Sequence, residues 1–301
     1  MTKPISIDVC IATFQRPLML LRLLHSLVEQ NLDNISMRII VIDNDRKQSA
    51  HPIIRSFQEK YDVELLYDVE PKQNIALARN RALMHAKAEY VAFVDDDEVV
   101  SHEWLRALLC SINLFHADVA FGPVESILPD GAPAWAKKLF YRPHRQTGDS
   151  VQFGGAGNVM LKRKILDELA SNFNAAFGLT GGEDTEFFYR LHLMGKHLIW
   201  CDEASADEYI SDARVTLKWI RMRGFRSGQT YNRIVVSRYS FVKKIAWFFT
   251  KTFQISSGML AIPFIRCLSY PAYVALTVRI AAAAGQLSHC FSENNFEEYN
   301  I

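Results

Sequence analysis

Residues 90–98 read YVAFVDDDE, in which an apolar run ends and four carboxylates follow without a break. The run has the length and composition of a buried strand. Four adjacent carboxylates repel one another strongly unless water or a cation lies between them. Hard oxygen ligands of this kind suit Mg²⁺ or Mn²⁺. In extended backbone Asp95 and Asp97 would project to one side and Asp96 to the other, so the first and third are predicted to share the ion.

The acidic run also has a purely structural explanation. Acids often precede a helix and favour its positive end, and a helix is predicted around Trp104. That explanation accounts well for one or two acids and poorly for four. The run is therefore a candidate site.

The chain before residue 126 alternates between apolar runs and amphipathic segments. Strands are predicted at Ile5 to Ile11, Arg38 to Asp43, Val63 to Tyr67, Tyr90 to Val94 and Val119 to Val124. Helices are predicted around residues 20–28, 52–61, 74–88 and 103–115. Strands separated by about ten to fifteen helical residues indicate βαβ units and a mostly parallel sheet. Ligands bind beyond the carboxyl ends of such strands, where Thr13, Asp43 and the acidic run lie.

A second acidic motif, GGEDTE, occupies residues 181–186 and precedes apolar residues at helical spacing. The two glycines allow a left-handed or closely approached backbone, and the acids then fall in the first helical turn. This position at the rim of a site is what a general base requires, which makes Asp184 a candidate. Helix capping alone explains the pattern equally well.

A third motif, GGAGN, occupies residues 154–158. It resembles a dinucleotide-binding loop only superficially, because the apolar residues 159–161 continue as a strand and no helix opens. We predict a turn that lets a substrate come near the backbone.

Composition narrows the class of protein. The chain has 301 residues, of which 49% are hydrophobic, and this excludes disorder, collagen and a disulfide miniprotein. Its five cysteines are scattered and odd in number, which indicates reduced thiols in a cytosolic protein and excludes a zinc finger. The start of the chain shows no secretory signal. Neither a histidine metal pair nor a serine elbow is present, so a hydrolase triad is not supported.

Charge is distributed very unevenly along the chain. Between Ala213 and Ser292 there are twelve basic residues and no acid, so this segment carries +12 and the remainder −11 at a total of +1. Such asymmetry predicts a catalytic or binding body with a basic region that meets an anionic surface. Bulky apolar residues between 241 and 262, interleaved with lysines, are typical of an interfacial membrane segment, so nucleic acid is the weaker hypothesis.

Two uncharged runs, Thr252 to Ile265 and Cys267 to Val278, are shorter than the roughly 18 to 20 residues that span a bilayer. Pro263 and Pro271 are expected to interrupt helices there. We predict association with a membrane without a crossing. The alternative is a set of helices packed on the protein's own core, with the basic residues as a solvated face.

Two families share parts of these patterns. Asp95-x-Asp97 after an apolar strand resembles the first motif of haloacid-dehalogenase-like phosphatases, although that motif usually lies on the first strand and here three strands come first. A further alternative is a protein that resembles an enzyme but is inactive and acts as a binding scaffold.

The order of motifs over residues 5–230 resembles family 2 glycosyltransferases of the GT-A fold. The marks that carry the resemblance are Thr13-Phe14-Gln15-Arg16-Pro17, Asp43-Asn44-Asp45, the segment Pro71 to Asn80, Asp95 with Asp97, and Glu183-Asp184. With a later cluster of Trp219, Arg223, Arg226 and Gly228, the chain looks most like bacterial enzymes of exopolysaccharide and lipopolysaccharide assembly, such as the succinoglycan-type glucosyltransferases.

The resemblance implies a hexosyltransferase with a Rossmann-like sheet that transfers sugar from a nucleotide-diphosphate sugar, UDP being favoured, with inversion and with Mn²⁺ or Mg²⁺. Asp184 would be the base with Glu183 in support, Asp97 would hold the metal with Asp95, and Asp43 would accept a hydrogen bond from the nucleotide base. The remaining donor-site residues would be Thr13, Arg16, Arg79, Asp95 and Asp96. Many relatives carry a histidine on a later strand near the metal, where this chain has Asp207-Glu208-Tyr209.

The acceptor implied is a glycan or a polyprenyl-diphosphate-linked glycan, met by a cytoplasmic enzyme lying on the inner face of the membrane. The candidate acceptor residues are Gly155, Asn158, Glu208, Arg223 and Arg226. The predicted divisions are a nucleotide-sugar half at residues 1–100, an acceptor half at 101–212 and a basic, aromatic helical region at 213–301.

Overall fold

The computed structural model describes residues 3–288. The chain separates into two compact units, Met1–Glu125 with Arg142–Glu208, and Ser126–Tyr141 with Tyr209–Ile301. The predicted boundaries at residues 100 and 212 divide the chain by function, and they remain a prediction.

Strands and helices alternate through the first half of the chain, and helices alone follow after residue 217. The strands are β1 (Ile5–Thr13), β2 (Ile35–Asp43), β3 (Leu65–Val69), β4 (Tyr90–Val94), β5 (Glu98–Val100), β6 (Val119–Phe121), β7 (Val124–Ile127), β8 (Asn158–Lys162), β9 (Leu198–Trp200) and β10 (Ala206–Tyr209). The α-helices are α1 (Pro17–Val28), α2 (His51–Lys60), α3 (Ile75–His85), α4 (Trp104–Leu114), α5 (Ala134–Phe140), α6 (Glu183–Leu193), α7 (Leu217–Ile234), α8 (Phe241–Leu268) and α9 (Tyr270–Ser288).

The main sheet has seven strands in the order β3-β2-β1-β4-β8-β6-β9. Strand β8 is antiparallel to both of its neighbours, and the other pairs are parallel, as the sequence predicted. The chain winds outward from β1 through β2 to β3 and then returns to the other side of β1 at β4. Ligands bind at the carboxyl ends of strands where the winding reverses, which here are the ends of β1 and β4.

Both faces of this sheet are covered, so its central strands are apolar on both sides. Ile7, Val9 and Ile11 of β1 pack with buried residues of α1, α2 and α4 on one face. Cys10 of β1 packs with buried residues of α3 and α6 on the other. Burial of both faces explains why β4, with the sequence YVAFV, reads as a continuous apolar run rather than as an alternating one.

The predicted strand from Val119 to Val124 is in fact two strands, β6 and β7. Gly122 lies so close to the carbonyl oxygen of Ala204 that a Cβ would overlap it. Pro123 follows and has no N–H to donate to a ladder. The apolar pattern alone could not reveal this break.

In the second unit, α7 and α9 pack closely through glycine. A Cβ at Gly228 would overlap the carbonyl of Ala282, and one at Gly285 would overlap that of Phe225. A small core forms beside this contact from Trp135, Phe140, Ile210, Ile220 and Val274.

The prediction that Pro263 interrupts a helix is wrong, because α8 continues through it to Leu268. The helix packs along α9. Pro271 occupies the first turn of α9, where a proline is tolerated because its missing N–H would have no helical partner. None of the helices described between residues 3 and 288 contains a stretch that is long and apolar enough to cross a membrane.

Candidate active site

The acidic run forms a turn between β4 and β5. The N–H of Glu98 donates to the carbonyl of Asp95 at 3.1 Å, so residues 95–98 fold back on themselves. The expectation of extended backbone with alternating carboxylates is therefore wrong. The turn places Asp96 and Asp97 against Arg16, and Asp95 against Arg79.

Asp96 joins the end of β4 to the end of β1. Its carboxylate accepts a hydrogen bond from Thr13 Oγ1 at 2.7 Å and from Arg16 Nη1 at 3.1 Å, and the same Arg16 nitrogen donates to Asp97 Oδ2 at 2.9 Å. Burial raises the pKa of Asp96 to about 6, and the charge of Arg16 opposes the rise. Thr13, Arg16, Asp96 and Asp97 thus lie together, as the resemblance implied.

Arg79, on α3, connects the acidic turn to the second acidic motif. It donates to Asp95 Oδ1 at 2.8 Å through Nη2 and to Glu183 Oε1 through Nη1. Arg79 and Glu183 are both almost completely buried. Burial raises the pKa of Glu183 to about 7 despite the nearby Arg79. The structure therefore holds the start of α6 against the acidic turn through one buried guanidinium.

Glu98 is the residue of the acidic turn for which the sequence assigned no role. It is buried, and within residues 3–288 its Oε2 has no hydrogen-bond partner. Burial raises the pKa of Glu98 well above its usual range, and Asp95, Asp97 and Glu208 raise it further. The sequence marked Glu98 only as the fourth acid of the run. In the structure it begins β5, whose residues alternate between buried and half-buried.

Glu208 comes to the same place from a distant part of the sequence. Strands β5 and β10 pair antiparallel, with Glu208 directly opposite Glu98. Arg142 Nη2 donates to Glu208 Oε2 at 2.8 Å. The structure thus brings Glu208 to the acidic turn, together with Arg142, which the sequence analysis did not select.

The glycine motif GGAGN, as predicted, is a turn before β8, and it lies against both acidic motifs. A Cβ built on Gly157 would be 2.5 Å from Glu98 Oε1 and 2.9 Å from Asp95 Oδ2. The backbone N–H of Ala156 lies 3.4 Å from Asp184 Oδ2, and a Cβ on Gly155 would be 3.5 Å from the same oxygen. Asp184 and the acidic turn therefore border one short stretch of backbone.

The two glycines before α6 have the backbone that the sequence predicted. Gly181 and Gly182 have φ angles of 75° and 90°, in the left-handed region. Gly182 is the N-cap residue and has no side chain to cap the helix, while Asp184 Oδ1 accepts the N–H of the adjacent Thr185 at 2.6 Å. Only one carboxylate oxygen of Asp184 is therefore bonded to the backbone of the helix. The other oxygen lies towards the glycine turn.

Two predicted binding residues have structural partners instead. Asp43 is completely buried, and its oxygens accept hydrogen bonds from Asp45 N, Ala50 N and Tyr67 Oη. Asn158 is 2% exposed. Its amide accepts from Trp104 Nε1 and donates to the carbonyls of Pro123 and Ala204. These hydrogen bonds already occupy the carboxylate of Asp43 and the side-chain amide of Asn158. They do not favour direct contact of Asp43 with a nucleotide base or of Asn158 with an acceptor.

Arg223 and Arg226 lie on α7 in the second unit, where both are half-buried. The guanidinium of Arg223 lies 5.3 Å from the ring centroid of Trp219, within range of a cation–π interaction. Their predicted role towards a diphosphate stays a prediction.

The acidic turn suits a divalent cation. Within residues 3–288 no three His, Cys, Asp or Glu side chains are arranged as a complete metal site. However, Mg²⁺ commonly takes only one or two carboxylates and completes its shell with substrate phosphates and water. The crowded carboxylates of Asp95, Asp97 and Glu98, one of them with an unbonded buried oxygen, match that requirement.

Replacing Glu98 by glutamine is expected to stabilise the protein in the absence of divalent cations. The folded-state pKa of Glu98 is raised, so its contribution to stability is fully present below its unfolded pKa and is lost as the pH rises. We expect a gain of about 1–2 kcal/mol in unfolding free energy near pH 8 and little change near pH 4. Urea denaturation at both pH values measures the unfolding free energy. Glu59→Gln, at an exposed position of α2, is the control. An equal effect at both pH values would contradict this assignment.

The family model for "Glycosyl transferase family 2" matches residues 8–170 of this chain. The succinoglycan biosynthesis protein ExoM of Rhizobium meliloti (strain 1021) is 33% identical over 236 residues, which cover 77% of this chain and 76% of ExoM. The hyaluronan synthase of Pasteurella multocida is 25% identical over 226 residues, and that match covers 64% of this chain but only 23% of the synthase.

Solved structures share the fold at low identity. S. aureus TarS 1–349 in complex with UDP-GlcNAc superposes with a TM-score of 0.56 at 15% identity, covering 95% of this chain and 92% of TarS 1–349. GalNAc-T7 with UDP, GalNAc and Mn²⁺ superposes with a TM-score of 0.57 at 16% identity, covering 77% of this chain and 51% of that one. The family match and the similarity to ExoM show that the chain is a glycosyltransferase and belongs to glycosyltransferase family 2.

Proposed function

We propose that this enzyme transfers a sugar from a UDP-sugar to a hydroxyl of a glycan or lipid-linked glycan, with inversion at the anomeric carbon, in bacterial exopolysaccharide or surface polysaccharide synthesis. The observation that carries the proposal is the contact of one glycine turn, Gly155 to Gly157, with both Asp184 and the acidic turn. An inverting transfer needs a base and a charge-stabilising group on opposite faces of one sugar. The similarity to ExoM and the UDP-GlcNAc bound to TarS support the pathway and the donor.

The donor would lie at the carboxyl ends of β1 and β4. Thr13 and Arg16 hold the acidic turn there, and Arg16 is partly exposed, so its guanidinium can also face a diphosphate. Asp95 is the most accessible carboxylate of the turn at 40% side-chain exposure, which suits a hydrogen bond to ribose. Asp43 would act indirectly, by holding the loop after β2 in place.

Asp97 and Asp95 would hold Mn²⁺ or Mg²⁺, with Glu98 behind them. When bound, such a cation neutralises the negative charge that develops on a departing diphosphate. The Mn²⁺ in GalNAc-T7 is consistent with this assignment. Glu98 and Glu208 face each other across β5 and β10 beside the site, and Arg142 pairs with Glu208.

Asp184 would accept the proton of the acceptor hydroxyl. As that oxygen forms its bond to the anomeric carbon, the bond from this carbon to the diphosphate oxygen breaks and the electron pair leaves with UDP. Glu183 lies behind Asp184, paired with Arg79, and would position the helix start rather than touch the substrate. Gly155 has no side chain, which would let the sugar approach the backbone beside Asp184.

Glu208 and its partner Arg142 border the acidic turn and could bind acceptor hydroxyls. Arg223 and Arg226 would also bind the acceptor. The acceptor would be carried on a polyprenyl diphosphate in the inner leaflet and reached from the cytoplasm. The twelve basic residues between 213 and 292 support attraction to an anionic membrane surface.

Replacing Gly157 by alanine is expected to weaken UDP binding in the presence of Mn²⁺ by about tenfold, as overpacking beside fixed groups does. The new methyl would stand 2.5 Å from Glu98 Oε1 and 2.9 Å from Asp95 Oδ2 and would displace both carboxylates. Gly155→Ala is the matched control, because its methyl would make an ordinary 3.5 Å contact. Equal UDP affinities of the two variants, measured by calorimetry, would count against a cation site at this turn.

The transfer reaction itself can be tested with a panel of UDP-sugars and short glycan acceptors, with and without Mn²⁺. We expect UDP release coupled to a glycoside whose anomeric configuration, read by NMR, is opposite to that of the donor. A product of retained configuration would overturn the inverting mechanism. UDP binding with no turnover on any donor or acceptor would favour a binding scaffold instead.

A further inference from the structure

Helix α8 presents a long apolar face to solvent. Large apolar side chains recur at four-residue steps along its first half, at Phe241, Ile245, Phe249 and Phe253, and again at Leu260, Phe264 and Leu268. Their exposed fractions range from 43% at Ile245 to 86% at Leu268. Each four-residue step turns by about 40° around the axis, so these side chains together cover about half of the helix circumference. Exposed apolar patches of this extent mark an interaction surface.

The opposite side of α8 is already occupied. A Cβ on Gly258, halfway along, would be 2.9 Å from Ile280 Cδ1 and 3.5 Å from Leu276 Cδ1, so this side packs closely on α9. The charged residues of α8 all lie off the four-residue steps and are Lys243, Lys244, Lys251 and Arg266. The exposed surface of α8 therefore combines large apolar side chains with small hydroxyl residues such as Thr252 and Ser256, and its basic residues lie off the four-residue steps.

A cavity adjoins the beginning of this face. Its volume is about 480 Å³, and its walls include Phe241, Ile245, Phe248 and Phe249, with Lys244 among the lining residues. Phe241, Ile245 and Phe249 thus belong both to the cavity and to the exposed face. An apolar cavity with a lysine among its lining residues suits a ligand with an apolar chain and an anionic end.

Charge decides between a bilayer and a second copy of the chain as the occupant of the face. Residues 213–292 carry twelve basic residues and no acid, so two copies brought together at α8 would place like charges beside each other. An anionic leaflet attracts the same residues. A helix with aromatic and aliphatic residues on one face and lysines elsewhere is typical of an interfacial helix that lies in the membrane plane.

We infer that α8 lies in the interface plane of an anionic lipid bilayer, with its apolar face in the acyl boundary and one anionic lipid chain in the adjoining cavity. The inference rests on the proposed function only in assuming that the enzyme works at a membrane, and it names the surface and the mode of contact. Lys251, in the middle of α8, favours the flat arrangement because a crossing helix would carry this charge into the hydrocarbon core.

Flotation of the full chain with vesicles tests the surface. We expect binding to phosphatidylcholine vesicles that contain phosphatidylglycerol, weaker binding in high salt, and little binding to phosphatidylcholine alone. Phe253→Glu should lower the partition coefficient about tenfold or more. Leu114→Glu on α4 is the matched control, because Leu114 is 73% exposed and receives the same charge. Equal loss in both variants, or no vesicle binding by the parent chain, would overturn the inference.

Depth measurements test the mode of contact. Phe249→Trp and Phe264→Trp place a fluorophore at two points about 22 Å apart along the helix axis. Lipids brominated at one acyl position should quench the added fluorescence of both variants equally if α8 lies flat, and unequally if it crosses. A dimer in solution that Phe253→Glu dissociates, seen by light scattering, would assign the face to a second copy and overturn the inference.

The same variants separate this inference from the proposed function. UDP binding to Phe253→Glu should equal that of the parent chain, since no residue of the donor site is changed. Vesicle binding without any UDP binding would sink the proposed function and leave the docking surface standing. UDP binding and transfer to a water-soluble acceptor without vesicle binding would overturn the docking surface and leave the proposed function standing.

Discussion

Replacing Asp184 by asparagine is expected to lower the transfer rate by roughly two to four orders of magnitude, the usual contribution of a general base. The change keeps the shape of the side chain and the N–H contacts of α6 but removes the group that accepts a proton. Asp184 Oδ2 lies 3.4 Å from the backbone nitrogen of Ala156, whereas the acidic run lies against Gly157. UDP affinity should therefore be unchanged, and kcat should fall much more than KM rises.

Glu186→Gln is the matched control for this variant. Glu186 lies in the same helical turn, and its carboxylate pairs with Arg190 instead of facing the glycine turn. It loses the same charge within the first turn of α6, so an effect of the helix dipole appears in both variants. Turnover by Asp184→Asn at a rate near that of Glu186→Gln would move the base to another residue.

Replacing Arg79 by methionine is expected to destabilise the fold by about 3–5 kcal/mol, the usual cost of removing one partner of a buried ion pair. Arg79 and Glu183 are each 4% exposed in their side chains, and Glu183 Oε2 has no hydrogen-bond partner within the described part of the chain. Without Arg79 the Glu183 carboxylate would be either charged and unpaired or protonated. Urea denaturation measures the loss, and transfer activity should fall as well because Asp95 loses a hydrogen bond.

The double variant Arg79→Met with Glu183→Gln separates the two roles of this arginine. Removing the second charge should restore most of the lost stability, since the pair is then replaced as a unit. Transfer activity should remain low, because the acidic turn and the start of α6 are no longer connected. Stability that stays low in the double variant would show that Arg79 acts through other contacts than Glu183.

Much of the donor side could be predicted because it depends on local sequence and on a general rule of parallel sheets. The apolar run before Asp95 indicated the buried strand β4, and the ends of β1 and β4 meet where the winding reverses. That rule brings Thr13, Arg16 and Asp96 together without knowledge of side-chain packing. The phosphatase hypothesis needed the acidic motif on the first strand, and the family match to residues 8–170 decides against it.

Other features depend on contacts between distant residues and could not be predicted. Whether the carboxylate of Asp43 is available depends on Tyr67 and on the loop that returns to Ala50. Asn158 is used up by Trp104 and by two carbonyls from separate segments. Glu98 gains its role only when β10 brings Glu208 opposite to it.

The central claim is that the acidic turn binds a nucleotide diphosphate through a divalent cation, and calorimetric titration of UDP into the full chain tests it most directly. The titration is made with and without Mn²⁺ and repeated with Asp97→Asn, with exposed Asp167→Asn as the control. We expect UDP binding that requires Mn²⁺, is lost in Asp97→Asn and is retained in Asp167→Asn. Binding of equal strength without Mn²⁺, or unchanged binding by Asp97→Asn in its presence, would contradict the account.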